Sequence, residues 1–257
     1  MNKKITIITG AGQGIGKYIA KNLSDDFDLI IISKSHNCKK VSEEIKKRNK
    51  KNYRVVSFKI LNFEKKLDLN KKFLNFKFSQ YQKVNLILCA GVVDYSKTSY
   101  LDINDWKKIF KINLFSNISF INFFKKKLRN KLKKIIVFSG GGAAGPFKEF
   151  PIYSASKTAL IRAIENISLD KKSKTDVFAI APGAVKTKML KKVLSRAKVK
   201  KRSSIDDVFK FINYCLNNNT KKFNGKLINI RDNIFKIKKN NNDNYLKLRR
   251  SEWMCFL

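Results

Sequence analysis

The feature that most constrains this chain is an apolar stretch that runs into a glycine-rich turn and then into an amphipathic helical pattern. Residues 4–9 are apolar and rich in strand-forming side chains, the turn reads Thr9-Gly10-Ala11-Gly12-Gln13-Gly14-Ile15-Gly16, and Tyr18, Ile19 and Leu23 mark the helix that follows. Glycines let the backbone approach a pyrophosphate closely, and the start of a helix offers free N–H groups and the positive end of a dipole. The sequence therefore predicts a strand, a turn and a helix that bind a dinucleotide.

The turn differs from the common G-x-G-x-x-G fingerprint, because Ile15 stands where the last glycine would be. The pattern present is T-G-x-x-x-G-x-G. A glycine-rich turn can be purely structural, but its position between a strand and a helix favours binding. The residues of this turn that we expect at the cofactor are Thr9, Gly10, Gly12, Gln13, Gly14, Ile15 and Gly16.

A second buried strand, Asp28 to Ile32, ends where a nucleotide-binding fold meets the adenosine ribose. An acidic residue there would hydrogen-bond the 2′-hydroxyl of NAD, whereas a cation accommodates the 2′-phosphate of NADP. The chain has Ser33 and Lys34 at this place and no acid. We therefore expect both residues to contact the cofactor, with NADP(H) favoured and NAD(H) possible.

Apolar strands and amphipathic helices alternate along most of the chain. Further strands are predicted at about 53–60, 84–89, 132–138, 177–180 and 225–230, and helices at about 38–50, 63–78, 102–127, around 153–157 and at 206–217. The alternation implies an α/β fold, a Rossmann-like, doubly wound parallel sheet of seven strands with helices on both faces. Such folds bind ligands at the carboxyl ends of their strands.

The domain organisation follows from the same pattern. Residues 1–234 are expected to form one domain, within which residues 188–204 form an irregular, basic flap. Residues 235–257 are expected to form a tail, which is polar and Asn-rich at first and apolar at its end.

Four polar residues are candidates for the chemistry of the site. Tyr153 and Lys157 lie one helical turn apart on one face. A phenol is a poor acid or base near neutral pH unless a nearby positive charge stabilises the phenolate, and Lys157 could supply that charge. Ser139 follows the fifth strand, beside the expected cofactor cleft. Asn113 lies next to the apolar stripe of the helix at 102–127 and needs hydrogen-bond partners if it is buried.

The net charge of +38 prompts a nucleic-acid or anionic-membrane hypothesis. The cations are spread along the chain, however, so a solvated basic surface is favoured and no specific nucleic-acid binding is expected. No stretch approaches the ~20 apolar residues that a membrane helix needs, and no signal peptide is recognised. We therefore expect a cytoplasmic protein that binds no membrane.

The four cysteines, Cys38, Cys89, Cys215 and Cys255, show no Cys-x-x-Cys pair. This spacing favours reduced thiols and no metal site. His36 is the only histidine and lies in a polar turn, so a Ser-His-Asp triad is not favoured.

Six motifs follow one another along about residues 3–231, namely Thr9-Gly10-x-x-x-Gly14-x-Gly16, Ala90-Gly91, Asn113, Ser139, Tyr153-x-x-x-Lys157 and Pro182-Gly183-x-x-x-Thr187. In this order they resemble the short-chain dehydrogenase/reductase family. The resemblance implies an oxidoreductase that moves a hydride between a nicotinamide cofactor and a small carbonyl or alcohol substrate. The runs after the fifth and sixth strands and in the tail are also similar to a branch encoded beside surface-polysaccharide genes, which implies a sugar-derived substrate.

The resemblance implies a role for each matching residue. Tyr153 would exchange a proton with the substrate oxygen, and Lys157 would lower the pKa of Tyr153 and bind the nicotinamide ribose. Asn113 would hold a water of the proton relay, and Ser139 would hydrogen-bond the substrate carbonyl. The other residues expected at the cofactor are Ala90, Gly91, Pro182, Gly183, Val185 and Thr187.

Several positions depart from the family pattern. Family members carry two serines after the fifth strand and use the second, but Gly140 occupies that second place. Cys89 replaces an asparagine, and Ile60 stands where an acid is common after the third strand. These departures leave a second hypothesis open, a catalytically impaired relative that binds nucleotide as a sensor or scaffold. The resemblance also implies a homodimer or homotetramer formed through the helices near 103–127 and 152–170.

Overall fold

The structure is a computed structural model that describes residues 3–23, 27–48, 55–96, 102–128, 130–199 and 202–231. The predicted tail, residues 235–257, and the first residues of the predicted third strand lie outside these ranges.

A parallel sheet runs through the middle of the molecule. Its strands are β1 (Lys4–Thr9), β2 (Asp28–Ser33), β3 (Val56–Ile60), β4 (Lys83–Leu88), β5 (Leu132–Phe138), β6 (Asp176–Ala181) and, last in the chain, β9 (Leu227–Asn229); β7 (Ala184–Val185) and β8 (Arg202–Ser203) form a separate parallel pair. The seven strands of the large sheet lie in the order β3-β2-β1-β4-β5-β6-β9. This arrangement confirms the predicted Rossmann-like fold.

Helices cover both faces of the sheet. They are α1 (Gly14–Leu23), α2 (Asn37–Arg48), α3 (Leu69–Phe73), α4 (Ile103–Phe110), α5 (Ser116–Lys127), α6 (Pro151–Ser168), α7 (Lys188–Leu194) and α8 (Ile205–Asn217). A π-helical turn, Lys111–Phe115, joins α4 to α5, so the long helix predicted at 102–127 is continuous but locally wider.

Alternate residues of the strands pack on opposite faces, which explains why the strands read as continuous apolar runs. All six residues of β2 are buried. Within β2, Ile30 belongs to one apolar cluster with Phe120 of α5, whereas Ile31 belongs to a second cluster with Ile19 of α1 and Ile212 of α8. The fold therefore has one core on each side of the sheet.

Two predicted segments are wrong in detail. The helix predicted at 63–78 is reduced to α3. It begins after Asp68, which accepts a hydrogen bond from the Lys71 N–H. It ends before Phe76 and Phe78, whose rings pack toward the core. The flap predicted as irregular at 188–204 contains α7, whose first turn is capped by the Thr187 hydroxyl, which accepts from the Leu190 N–H at 3.2 Å.

The strand order reverses between β1 and β4, where successive connections pass to opposite faces of the sheet. A crevice forms at the carboxyl ends of strands at such a point. Within the described residues, no helix has the length and apolar content needed to cross a membrane.

Candidate active site

A cavity of about 560 Å³ lies at the carboxyl edge of the sheet. Most of the residues selected from the sequence line it: Gly10, Gly12, Gln13, Gly14, Ile15, Gly16, Ser33, Lys34, Ala90, Gly91, Ser139, Tyr153, Lys157, Pro182 and Thr187. The fold therefore brings residues from six separate stretches of the sequence into one space.

Four of the selected residues do not line the cavity. Thr9 is buried behind it, where its hydroxyl accepts a hydrogen bond from the Ala90 N–H at 3.2 Å. Val185 is buried in the core, and Gly183 packs against Ser203 of β8. Asn113 is fully buried behind the segment that follows β4. The structure therefore places these four residues behind or beside the cavity wall, where they support the residues that line it.

The glycine turn forms a recess that side chains would fill. Gly10 has φ of 70°, and a Cβ atom there would lie 2.9 Å from Ala90 Cα. A Cβ atom on Gly12 would lie 3.0 Å from Ser33 Oγ. The α1 helix begins at Gly14, so its N-terminal N–H groups lie beside this recess. A phosphate-bearing dinucleotide fits such a recess, because it needs close backbone approach and N–H donors.

At the far end of the cavity, Lys34 forms an ion pair that the sequence did not reveal. Its Nζ lies 2.5 Å from Oε1 of Glu64, in the segment after β3. Both residues line the cavity. Glu64 is thirty residues away in sequence, and no local pattern around it indicates contact with Lys34.

After the third strand, the residue that lines the cavity is Asn62, whereas the sequence analysis assigned the corresponding family position to Ile60. Ile60 ends β3 and packs against the core, whereas Asn62 lines the cavity two residues later. The expectation that an apolar residue replaces a polar contact at this point is therefore wrong. An uncertainty of two residues in the end of β3 caused the error.

Asn113 lies in the π-helical turn and joins three segments. Its Nδ2 donates to the Val92 carbonyl at 3.0 Å and to Ser156 Oγ at 3.0 Å, and its Oδ1 accepts from the Val92 N–H at 2.8 Å. Both amide hydrogens are therefore occupied by protein groups. The side chain holds the segment after β4 against α6, which bears Tyr153 and Lys157.

Lys157 is buried, with 4% of its surface exposed. Its ammonium donates to the Phe138 carbonyl at 2.9 Å, at the end of β5. Burial lowers the pKa of Lys157 to about 8, because the charged form loses its hydration. Gly91 leaves the room that the lysine occupies, since a Cβ atom there would lie 3.3 Å from Nζ.

Tyr153 is also buried, and its ring packs with Val93 and Phe150. Burial raises the pKa of Tyr153 to about 12. The Lys157 ammonium lies 5.9 Å from the centre of the Tyr153 ring. Burial is thus the dominant effect on the pKa of Tyr153 in this structure, and the expectation that Lys157 lowers this pKa stays a prediction.

Ser139 lines the cavity, and its hydroxyl oxygen is buried. Its backbone N–H donates to the Ile180 carbonyl at 2.8 Å, while its buried Oγ has no hydrogen-bond partner within the described residues. A buried hydroxyl without a partner costs free energy, so the site is suited to receive a polar group there.

Gly140 cannot be replaced by serine without displacing Tyr153. A Cβ atom on Gly140 would lie 2.6 Å from the Tyr153 hydroxyl oxygen. The glycine is thus a steric requirement of the position that Tyr153 adopts. Serine at the usual family position and the Tyr153 hydroxyl compete for the same space in this chain.

The described residues contain no cluster of three or more His, Cys, Asp or Glu side chains that could hold a metal ion. Cys38, Cys89 and Cys215 are free thiols in the described part of the chain. Burial raises the pKa of Cys89, which lines the cavity, to about 12.

The doubly wound sheet, the glycine recess and the buried Tyr-Lys pair in one cavity define a nucleotide-binding α/β oxidoreductase. The sequence model of the family described as short chain dehydrogenase matches residues 4–198. The chain belongs to this family and is an NAD(P)-dependent oxidoreductase.

Individual relatives cover nearly the whole chain at low identity. The 3-oxoacyl-[acyl-carrier-protein] reductase FabG of Buchnera aphidicola subsp. Baizongia pistaciae is 26% identical over 249 residues, which are 91% of this chain and 98% of the relative. A short chain dehydrogenase from Shigella flexneri complexed with NADP has a TM-score of 0.77 at 17% identity, covering 90% of this chain and 98% of that one. A 4-hydroxyisoleucine dehydrogenase complexed with NADH has a TM-score of 0.74 at 20% identity, covering 88% and 96%.

Proposed function

We propose that this chain reduces a small carbonyl substrate, with NADP(H) as the favoured cofactor and Tyr153 as the proton donor. The observation that carries the proposal is the position of Tyr153, Lys157 and the unpartnered Ser139 hydroxyl in the same cavity as the glycine turn. A nicotinamide cofactor, when bound, supplies or accepts the hydride. The recess at Gly10 and Gly12 suits its pyrophosphate, and Pro182 and Thr187 also line the cavity.

The protein's part in the reaction is proton transfer and charge stabilisation. Tyr153 gives its hydroxyl proton to the substrate oxygen as that oxygen gains charge, and Ser139 donates a hydrogen bond to the same oxygen. The nearby Lys157 ammonium stabilises the phenolate that remains. Asn113 is a positioning residue, because it fixes Val92 and Ser156 and so orients α6.

Burial raises the pKa of Tyr153 to about 12, so the phenol stays protonated at neutral pH and is ready to donate. This protonation state suits the proposed step, in which the substrate oxygen takes up a proton from Tyr153.

The experiment that tests the function follows the loss of NADPH absorbance with a panel of carbonyl compounds. Sugar-derived ketones and aldehydes belong in the panel, as the similarity to the polysaccharide-associated branch suggests. A 3-oxoacyl thioester belongs there too, because one relative is named for that substrate. Turnover of any member supports the proposal; cofactor binding without turnover throughout supports a sensor or scaffold instead.

Replacing Gly140 by Ala should lower turnover at least about tenfold, since the new methyl group displaces the Tyr153 hydroxyl. Overpacking of this kind also costs roughly 1–3 kcal/mol of stability. Gly145→Ala is the matched control in the same loop, because a Cβ atom there meets nothing within 4 Å. Steady-state rates and denaturation curves measure both effects. Equal behaviour of the two variants would contradict the steric account.

We also propose that the chain assembles as a homodimer or homotetramer through α4, α5 and α6. Large apolar side chains are exposed there, namely Ile103, Phe115 and Leu169. Phe115→Lys should therefore shift the mass measured by light scattering toward that of a single chain. A wild-type protein of single-chain mass at moderate salt would contradict this proposal, since a charge of +38 opposes association most at low salt.

Three further expectations belong to the proposal. The protein acts in the cytoplasm, without a membrane or a specific nucleic-acid partner. Any DNA binding should fall steeply with salt and show no sequence preference. Residues 1–234 act as one domain, to which residues 235–257 add a tail.

A further inference from the structure

The structure places a carboxylate at the adenosine end of the cavity, where the sequence shows none. Glu64 follows β3, yet it reaches Lys34 at the end of the neighbouring strand β2, with 2.5 Å between the charged atoms. Both side chains line the cavity and are partly exposed, 62% for Lys34 and 35% for Glu64. A ligand that enters this end of the cavity therefore meets both charges.

Lys34 is the cation available to a phosphate at this end. The other lysines that line the described cavity are Lys157, which donates to the Phe138 carbonyl, and Lys188, which begins α7. Ser33 donates its hydroxyl hydrogen to the Ser35 carbonyl at 2.6 Å, so that hydrogen is already used. A phosphate that pairs with a lysine at this end must therefore take Lys34 from Glu64 or share it.

A carboxylate repels a phosphate, whereas it attracts a hydroxyl group. Two negative groups that share one cation repel each other, and the repulsion is greater where water is partly excluded. A carboxylate oxygen accepts a hydrogen bond from a ribose hydroxyl instead. Glu64 therefore disfavours a 2′-phosphate and can favour a free 2′-hydroxyl.

We propose that Glu64 is a specificity-determining residue that competes with the 2′-phosphate of NADPH for Lys34. The chain then discriminates only weakly between NADPH and NADH, although Lys34 alone would favour NADPH strongly. This inference rests on the proposed use of a nicotinamide cofactor. The inference adds that Glu64 determines how selective the protein is between NADPH and NADH.

Fluorescence titrations of NADPH and NADH at fixed ionic strength test the proposal with Glu64→Gln and Lys34→Met. The Glu64→Gln variant should bind NADPH at least about fivefold more tightly, with NADH affinity unchanged or weaker. The Lys34→Met variant should bind NADPH more weakly and change NADH binding little. Glu43→Gln is the matched control, because it removes one negative charge from an exposed position outside the cavity lining.

The outcomes separate the inference from the function on which it rests. A rise in the NADPH-to-NADH affinity ratio in Glu64→Gln, absent in Glu43→Gln, supports the inference. An unchanged ratio in a variant that melts like the wild type overturns the inference and leaves the oxidoreductase function standing. Wild-type protein that binds neither cofactor overturns both. Exposed ion pairs add little to folding, so the Glu64→Gln variant is expected to fold normally.

Discussion

Replacing Tyr153 by Phe should lower carbonyl-dependent oxidation of NADPH by about 10²–10⁴-fold, the range contributed by a positioned general acid. The substitution removes one oxygen atom and keeps the ring that packs with Val93 and Phe150. The fold and the glycine recess are therefore preserved, and cofactor affinity should stay within about tenfold, since the lost contact is worth no more than one hydrogen bond. Single-turnover rates and fluorescence titrations measure the two quantities on the same preparation.

Tyr81→Phe is the appropriate control for that experiment. Tyr81 is also buried, but its hydroxyl donates to Asp28 at 2.9 Å, at the opposite end of the sheet from the cavity. Its loss should reduce stability and leave the rate per folded molecule unchanged. If Tyr153→Phe retained wild-type turnover, the proton would have to come from another group and the proposed mechanism would be wrong.

The fold was predictable because its signals are local. The apolar runs at β1 and β2 give buried parallel strands, and the glycine turn between β1 and α1 fixes where the first crossover begins. The segment at 63–78 was not predictable in the same way. Its phenylalanines recur at spacings that fit a helix, but their rings are drawn into the core by tertiary contacts, and only α3 stays helical.

The site was predictable in its membership and less so in its electrostatics. Three residues selected from sequence motifs, Tyr153, Lys157 and Ser139, line the same cavity, and their catalytic roles stay predictions. The pKa of Tyr153 could not be read from the spacing of a tyrosine and a lysine, because burial depends on the side chains packed around both. Glu64 was missed for a related reason. Its contact with Lys34 depends on the register of β2 and β3, which no local pattern encodes.

Lys157→Met should give an inactive protein that is more stable than the wild type at pH 7. Burial holds the pKa of Lys157 at about 8 instead of its ordinary 10.5. Below pH 8 the folded protein therefore carries a buried ammonium whose free energy would be lower in the hydrated, unfolded chain. A shift of that size corresponds to roughly 3 kcal/mol at 1.36 kcal/mol per pKa unit. The lost hydrogen bond to the Phe138 carbonyl offsets about 1 kcal/mol, so a gain of about 2 kcal/mol is expected.

The pH dependence of that gain identifies its cause. Between about pH 8 and 10.5 the unfolded wild-type chain keeps the Lys157 proton that the folded chain has released, so this group makes the wild type more stable as pH rises. The methionine variant lacks the effect, and its advantage should shrink across the same window. Lys126→Met corrects for the general benefit of removing one exposed cation from a strongly basic chain.

Denaturant unfolding of the three proteins from pH 7 to pH 10 measures these differences. A variant at residue 157 that is no more stable than the wild type at pH 7 would mean that the buried ammonium is fully compensated by its surroundings. A stable but inactive variant would instead show that this chain keeps a destabilising charge for its chemistry. The lysine would then belong to the group of residues that proteins retain for activity at a cost in stability.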